Sequence, residues 1–197
     1  MASTTRIPRA RLTGIYGALV TRMARKMLGG VPESIEVAWH HPQVRNFTLG
    51  LGRKVQKWHR CDESLKAYAH MAAASLVGCR FCLDLGYFQA KREGLDVAKV
   101  REVPRWRTSQ IFSELERDVM AYAEAMTVTP PAVTDELSGR LLAALGPAAL
   151  VELTTHVGLT NFVTRTNVAW GVGPQGLAAA CGLAPLATPS GELRPTA

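Results

Sequence analysis

Asp62-Glu63-Ser64-Leu65-Lys66-Ala67-Tyr68-Ala69-His70-Met71-Ala72-Ala73-Ala74-Ser75-Leu76-Val77-Gly78-Cys79-Arg80-Phe81-Cys82 is the stretch whose reading decides the fold. Asp62 is a fair N-cap and Glu63 suits the positive end of a helix. Leu65, Ala69, Ala72, Ala73 and Leu76 give an apolar side, so residues 62–77 read as a helix. Gly78 ends it as a C-cap glycine does. Helical period resumes through Phe81, Leu85, Phe88 and Arg92, and Gly94 closes that second helix. Both cysteines therefore fall where one helix stops and the next begins.

The same punctuation continues on either side. Residues 33–58 carry two short apolar segments separated by His41-Pro42, a helix break. Residues 96–101 read as a short helical turn and 103–109, with Pro104, as a loop. Residues 114–126 are helical until Thr129-Pro130-Pro131, and Gly146-Pro147 separates helices at 134–145 and 148–170. No stretch sustains a period of two, so the fold class is all-α, a single-domain helical bundle. Three parts are expected: a basic amphipathic helix within 1–32, the helical domain at 33–183 with its core at 62–101, and a flexible tail at 184–197.

Hydrophobic content of 47% with 20% charged residues is that of a globular domain. No apolar run approaches the ~20 residues that span a bilayer; the longest, near Leu12–Val20, is broken by Thr13, Gly14 and Gly17. The net charge of +7 is concentrated at the N-terminus, where Arg6, Arg9, Arg11, Arg22, Arg25 and Lys26 precede the first acidic residue, Glu33. Leu12, Ile15, Leu19, Met23 and Met27 recur among them at helical spacing. The expectation is a helix packing that stripe on the domain, with an anionic membrane or acidic partner, or a targeting role, as alternatives. No recognition motif accompanies the charge, so nucleic acid is not an expected partner. Cysteines at 61, 79, 82 and 181 do not make a disulfide framework in a chain this long, which points to a cytoplasmic protein.

Cys79-Arg80-Phe81-Cys82 is a CxxC at a helix start, where unpaired N–H groups favour a thiolate. A thiol of ordinary pKa, about 8.5, is only about 3% ionised at pH 7. The spacing also lets the two sulfurs meet in a reversible disulfide, one attacking and the other resolving. Two small residues packed at a helix start, or a zinc site completed by His59 and Cys61, are the competing readings. No metal and no cofactor is expected. His156, with Asn161 and Arg165 further along its helix, reads as a helix–helix polar contact, and His40-His41 as ordinary surface.

The stretch from Ala72 to Cys82, continuing to Gly94-Leu95, resembles the carboxymuconolactone decarboxylase-like family. Within it the likeness is to the alkyl hydroperoxidase D (AhpD) branch, which keeps a CxxC between two helices and a glycine about a dozen residues later. Glu116-Arg117, Tyr122 through Thr127, and Asn161, Arg165 and Asn167 extend it loosely. The resemblance implies an all-helical fold assembled as homo-trimers or hexamers and a peroxiredoxin-type antioxidant activity. Cys82 would attack a hydroperoxide or disulfide substrate, Cys79 would resolve, and a thiol donor such as a dihydrolipoyl protein would supply electrons. That branch places a histidine four residues after the second cysteine and a glutamate twelve before the first; here those positions hold Gly86 and Ala67. Glu63 and His70 share the Ala67 face and Asp84 lies just past the dithiol, so Glu63, His70 and Asp84 are the expected proton acceptors, Glu63 foremost. The decarboxylases work without the dithiol, so lactone decarboxylation is not expected.

Overall fold

Helices α4 (Glu63–Val77) and α5 (Arg80–Arg92) form the centre of the computed structural model, which describes residues 5–188. Asp62 accepts from the amides of Ser64 and Leu65 at 2.8 and 3.4 Å and starts α4. Gly78, at φ 77°, turns the chain left-handed, so that the Gly78 and Cys79 amides return to the carbonyls of Ser75 and Ala74. A residue with a Cβ adopts that conformation only at a cost.

Burial on every side makes α4 the central helix. Leu65, Tyr68, Ala69 and the run Met71-Ala72-Ala73-Ala74 are all enclosed, and α4 touches α5, α7 (Glu114–Thr127) and α8 (Asp135–Trp170). The alanines allow these helices close approach. Tyr68 meets Phe112 edge-on at 5.8 Å, and α7 opens with a capping box in which Ser113 and Glu116 exchange hydrogen bonds. Among the described residues there are nine α-helices and no strand, the all-α class expected.

Several local expectations change. Residues 103–109 are not a plain loop: Val103–Arg105 forms a 3-10 turn, because Val103 and Trp106 are buried and the Trp106 indole donates to Glu124 Oε1 at 2.8 Å. The helices expected at 134–145 and 148–170 do form: they are the two arms of α8, which meet at a kink where Gly146 leaves helical geometry (φ 75°, ψ 167°) just before Pro147. Counted through that kink, α8 is long and apolar enough to cross a membrane by length and composition alone. Here its inner face packs on α4 and α7.

The largest departure is α1 (Gly14–Leu28). Its buried residues are Gly17, Val20 and Ala24, a narrow seam of small side chains. A Cβ at Gly17 would lie 2.7 Å from the Leu12 carbonyl carbon. The expected stripe faces outward instead, with Ile15 93% and Leu19 58% exposed, and Met23 and Met27 beside them. Arg6, Arg9 and Arg11 precede the helix. Arg6 donates to the Val168 and Ala169 carbonyls at 2.6 and 2.9 Å, satisfying the end of α8. Helices α2 (Glu33–Ala38) and α3 (Pro42–Val55) follow, and His41 caps α3 through its ring nitrogen. Beyond α6 (Val97–Glu102) and α9 (Leu177–Ala180), residues 184–188 of the expected tail run along α6: Ala187 N–H donates to the Arg101 carbonyl, and Arg101 Nε to the Pro185 carbonyl. The rest of that tail lies outside the described residues.

A buried ion pair joins α4 to α8. Lys66, 5% exposed, donates to Glu152 Oε1 at 2.8 Å, and Glu152 Oε2 accepts the Arg60 amide at 2.7 Å. Removing one partner strands a buried charge, so Lys66→Ala should cost about 3–5 kcal/mol in urea unfolding. The double replacement Lys66→Met with Glu152→Leu should recover most of that loss. A single variant within 1 kcal/mol of wild type rules the coupling out.

Candidate active site

Cys79 and Cys82 are joined as a disulfide with their Cα atoms 5.3 Å apart. Cys79 is the N-cap of α5, and its sulfur accepts the Cys82 amide at 3.3 Å. Both cysteines are buried, in a small second core with Ala74, Phe81 and Val172. Arg80 is exposed and turns away from this core. The side-chain donor to Cys82 Sγ is Asn167 near the end of α8, whose Nδ2 lies 3.5 Å away.

His70, on the face of α4 toward α5, touches the other side of Cys82. Its ring lies against the Cys82 backbone carbonyl, and Nδ1 meets Thr160 Oγ1 at 3.3 Å. Gly86 makes this possible. A Cβ there would stand 2.8 Å from Met71 Sδ and 3.1 Å from His70 Cδ2, so the missing side chain is the room that Met71 and His70 occupy. An imidazole from α4 thus fills the space beside α5 where the AhpD pattern expects one from α5 itself. Ala67, one turn before His70, leaves space on the same side.

The ring of His156 on α8 lies 6.4 Å from that of His70. The two histidines separate two cavities. One, about 150 Å³, has Glu63, Lys66 and Glu93 in its wall. The other, about 190 Å³, is an apolar slot between α3 and α8 lined by Leu51, Val55, Leu159, Phe162 and Val163. His156 Nδ1 is buried without a partner. Burial, with a smaller push from His70, takes the pKa of His156 down to about 4, and burial likewise lowers that of His70. Both rings are therefore neutral at pH 7.

Two expected proton acceptors are otherwise engaged. Glu63 is half exposed, and its carboxylate is held by Lys66 at 2.8 Å and His59 at 3.2 Å, so it belongs to the Lys66 ion cluster at the cavity wall. Asp84 accepts three backbone amides, from Gln175, Leu177 and Ala178 at 2.9, 3.0 and 2.9 Å, and anchors α9 onto α5. Both of its carboxylate oxygens are thus taken up by backbone amides. Of the three, only His70 touches a cysteine of the pair. Cys61 is buried and its thiol pushed up to about 11 by desolvation, while His59 is exposed; among the described residues no cluster of ligands is gathered for the zinc alternative.

Residues 42–125, which contain α3 through most of α7, match the model of the carboxymuconolactone decarboxylase family. The match to that family covers 84 of the 197 residues, fewer than half of the chain. Escherichia coli YnjA is 37% identical over 116 residues, which are 59% of this chain and 64% of YnjA, so the chain spans less than two thirds of that relative's length. Among solved structures, a cysteine variant of the debrominase Bmp8 in complex with 2,3,4-tribromopyrrole is similar at a TM-score of 0.76 and 21% identity, over 89% of this chain and 96% of that one. An Agrobacterium tumefaciens structure, a candidate AhpD antioxidant-defence protein, matches at a TM-score of 0.63 and 22% identity, over 68% of this chain and 91% of that one. At these identities the structures establish a shared fold.

Asn167 lies outside residues 42–125, and no motif in the sequence assigns it a role. A signal was present: Thr160, Thr164 and Asn167 recur at helical spacing on a face of α8 that is otherwise buried.

The buried neutral histidines set a pH response. A histidine held neutral in the fold binds its proton more readily once unfolded, so stability is lost as pH falls from about 6.5 toward 4, the folded value for His156. His156→Gln should flatten the urea midpoint across that window. An unchanged slope excludes His156 as the cause.

Proposed function

We propose that this chain is a thiol-dependent oxidoreductase of the AhpD type that reduces a hydroperoxide, or a disulfide, with the Cys79/Cys82 dithiol. The observation that carries the reading is the disulfide itself, built into the first turn of α5 with one sulfur accepting a helix amide. In this reading Cys82 attacks and Cys79 resolves. His70, neutral at pH 7 and against the Cys82 backbone carbonyl, is the side chain assigned here to accept the thiol proton. A dithiol donor such as a dihydrolipoyl protein restores the reduced form. The cytoplasm, where thiols stay reduced, suits this cycle. A homo-trimer or hexamer is the assembly proposed, and the exposed apolar residues Val151, Phe162 and Val163 of α8 support an interface there.

Consumption of an alkyl hydroperoxide with a dithiol present tests the proposal. Wild type should turn over, Cys82→Ser should be silent, and His70→Asn should slow the reaction at least tenfold, the lower range for loss of an acid–base group. Glu63→Gln should stay within about twofold, since Lys66 already holds that carboxylate. Equal rates for wild type and Cys82→Ser exclude the dithiol mechanism. Turnover of a bromopyrrole and not of a peroxide would move the substrate class to that named for the Bmp8 structure while keeping the dithiol.

The outward stripe of α1 favours a second reading, a helix that docks on an anionic membrane surface. Ile15, Leu19, Met23 and Met27 are exposed beside Arg22, Arg25 and Lys26, and no acidic residue lies on α1. Sedimentation with vesicles rich in phosphatidylglycerol should pull the protein down at low salt. Arg22→Glu with Arg25→Glu should release it, as should high salt. Equal sedimentation with neutral vesicles counts against this docking.

A further inference from the structure

Asn167 is 3% exposed, and its carboxamide nitrogen faces Cys82 Sγ at 3.5 Å. Its neighbours on that face of α8 donate elsewhere: the Thr164 hydroxyl to the Thr160 carbonyl at 2.8 Å, and the Thr160 hydroxyl to the His156 carbonyl at 2.9 Å. The Asn167 backbone carbonyl receives the Val172 amide at 3.0 Å, which fixes the base of the side chain as α8 ends. Asn167 therefore brings a fixed N–H to the sulfur from a second helix. The other sulfur has its own donor, the Cys82 amide at 3.3 Å from Cys79 Sγ.

A disulfide sulfur is a weak acceptor, whereas a hydrogen bond to a thiolate is charge-assisted and roughly twice as strong as a neutral one. A buried carboxamide at this place is thus poorly matched to the oxidised pair and well matched to Cys82 as an anion. Leaving such a donor in a dry site without a full partner is costly, so its presence favours the state that uses it.

We propose that Asn167 is a catalytic residue of the dithiol site: its carboxamide holds Cys82 as the attacking thiolate, while the Cys82 amide holds Cys79 as the thiolate that closes the disulfide. This rests on the redox reading above. The Cys82 thiolate attacks the terminal oxygen of the hydroperoxide; the S–O bond forms, the O–O bond breaks, and the alkoxide leaves and takes a proton. Cys82 is oxidised by two electrons to the sulfenic acid, and the peroxide is reduced to the alcohol. The Cys79 thiolate then attacks Cys82 Sγ, forming the S–S bond and expelling hydroxide, which leaves as water once protonated. The dithiol donor returns two electrons and the two thiol protons, and is itself oxidised to its disulfide.

The test follows alkylation of Cys82 by iodoacetamide against pH in the reduced full-length chain, read peptide by peptide by mass spectrometry so that Cys61 and Cys181 do not interfere. Asn167→Ala should raise the Cys82 midpoint by about one unit and slow hydroperoxide reduction at pH 7 roughly tenfold. Asn167→Asp, nearly isosteric, should raise it further, because a carboxylate repels the thiolate. Thr164→Val, on the same buried face, should leave both readouts at wild-type values. If wild type fails to cycle between dithiol and disulfide under dithiothreitol and its oxidised form, the redox reading itself fails. If it cycles, and folded Asn167→Ala and Asn167→Asp chains keep the wild-type pH profile, Asn167 is a packing residue and the proposal is overturned. Should neither variant fold, the Cys79→Ser chain decides: a Cys82 midpoint at or above the ordinary value of about 8.5 overturns the proposal, and one clearly below it supports it.

Discussion

Cys79 completes one helix with its backbone and begins the next with its side chain. Its amide returns to the Ala74 carbonyl at 3.0 Å and helps satisfy the end of α4, and its sulfur accepts the Cys82 amide and caps α5. A helix end buried without partners would leave several backbone groups unpaired in a dry environment. Gly78 supplies the left-handed turn that lets one residue serve both ends. The dithiol is thus part of how two central helices are joined, and reduction or oxidation acts on that joint.

That junction also explains how the surrounding polar groups are arranged. With α4 and α5 held close, the face of α5 one turn after Cys82 looks directly at α4, and only one of the two helices has room for a large side chain there. Here α4 takes the room with His70 and Met71, and α5 yields it at Gly86. Glu63, on the same face of α4 nearer its start, is drawn to Lys66, which Glu152 holds buried from α8. A carboxylate beside a buried ammonium gains more from that pairing than from a longer reach through a cavity.

The sequence made the helices and their caps legible because local chemistry sets them: Asp62, Gly78, Ser113 with Glu116, and Gly146-Pro147 mark ends that reappear as ends or as a bend. The CxxC at a helix start was legible for the same reason. What pairing across helices decides was not. Asp84 reads as a candidate base from its distance to Cys82 along the chain, yet its oxygens go to amides some ninety residues later. The outward stripe of α1 is not legible, because apolar spacing shows that a face exists without showing which face the body takes; Gly17, Val20 and Ala24 fit more closely than the larger side chains could. The turn within 103–109 is not legible either, because Pro104 reads as a loop signal while the burial of Val103 and Trp106 tightens the chain there.

The site that results contains few formal charges near the sulfurs. His70 and His156 are neutral, Asn167 is a carboxamide, and the helix contributes a backbone amide. In a low-dielectric pocket a fixed positive charge would hold the thiolate tightly and make it a weaker nucleophile as its pKa fell. A carboxylate in contact would keep the thiol protonated. Neutral donors avoid both extremes, because they favour the anion by hydrogen bonding without burying an unpaired countercharge when the pair is oxidised. With the pair oxidised, the two donors that touch the sulfurs, the Asn167 carboxamide and the Cys82 amide, are neutral, so no countercharge is stranded beside the bond.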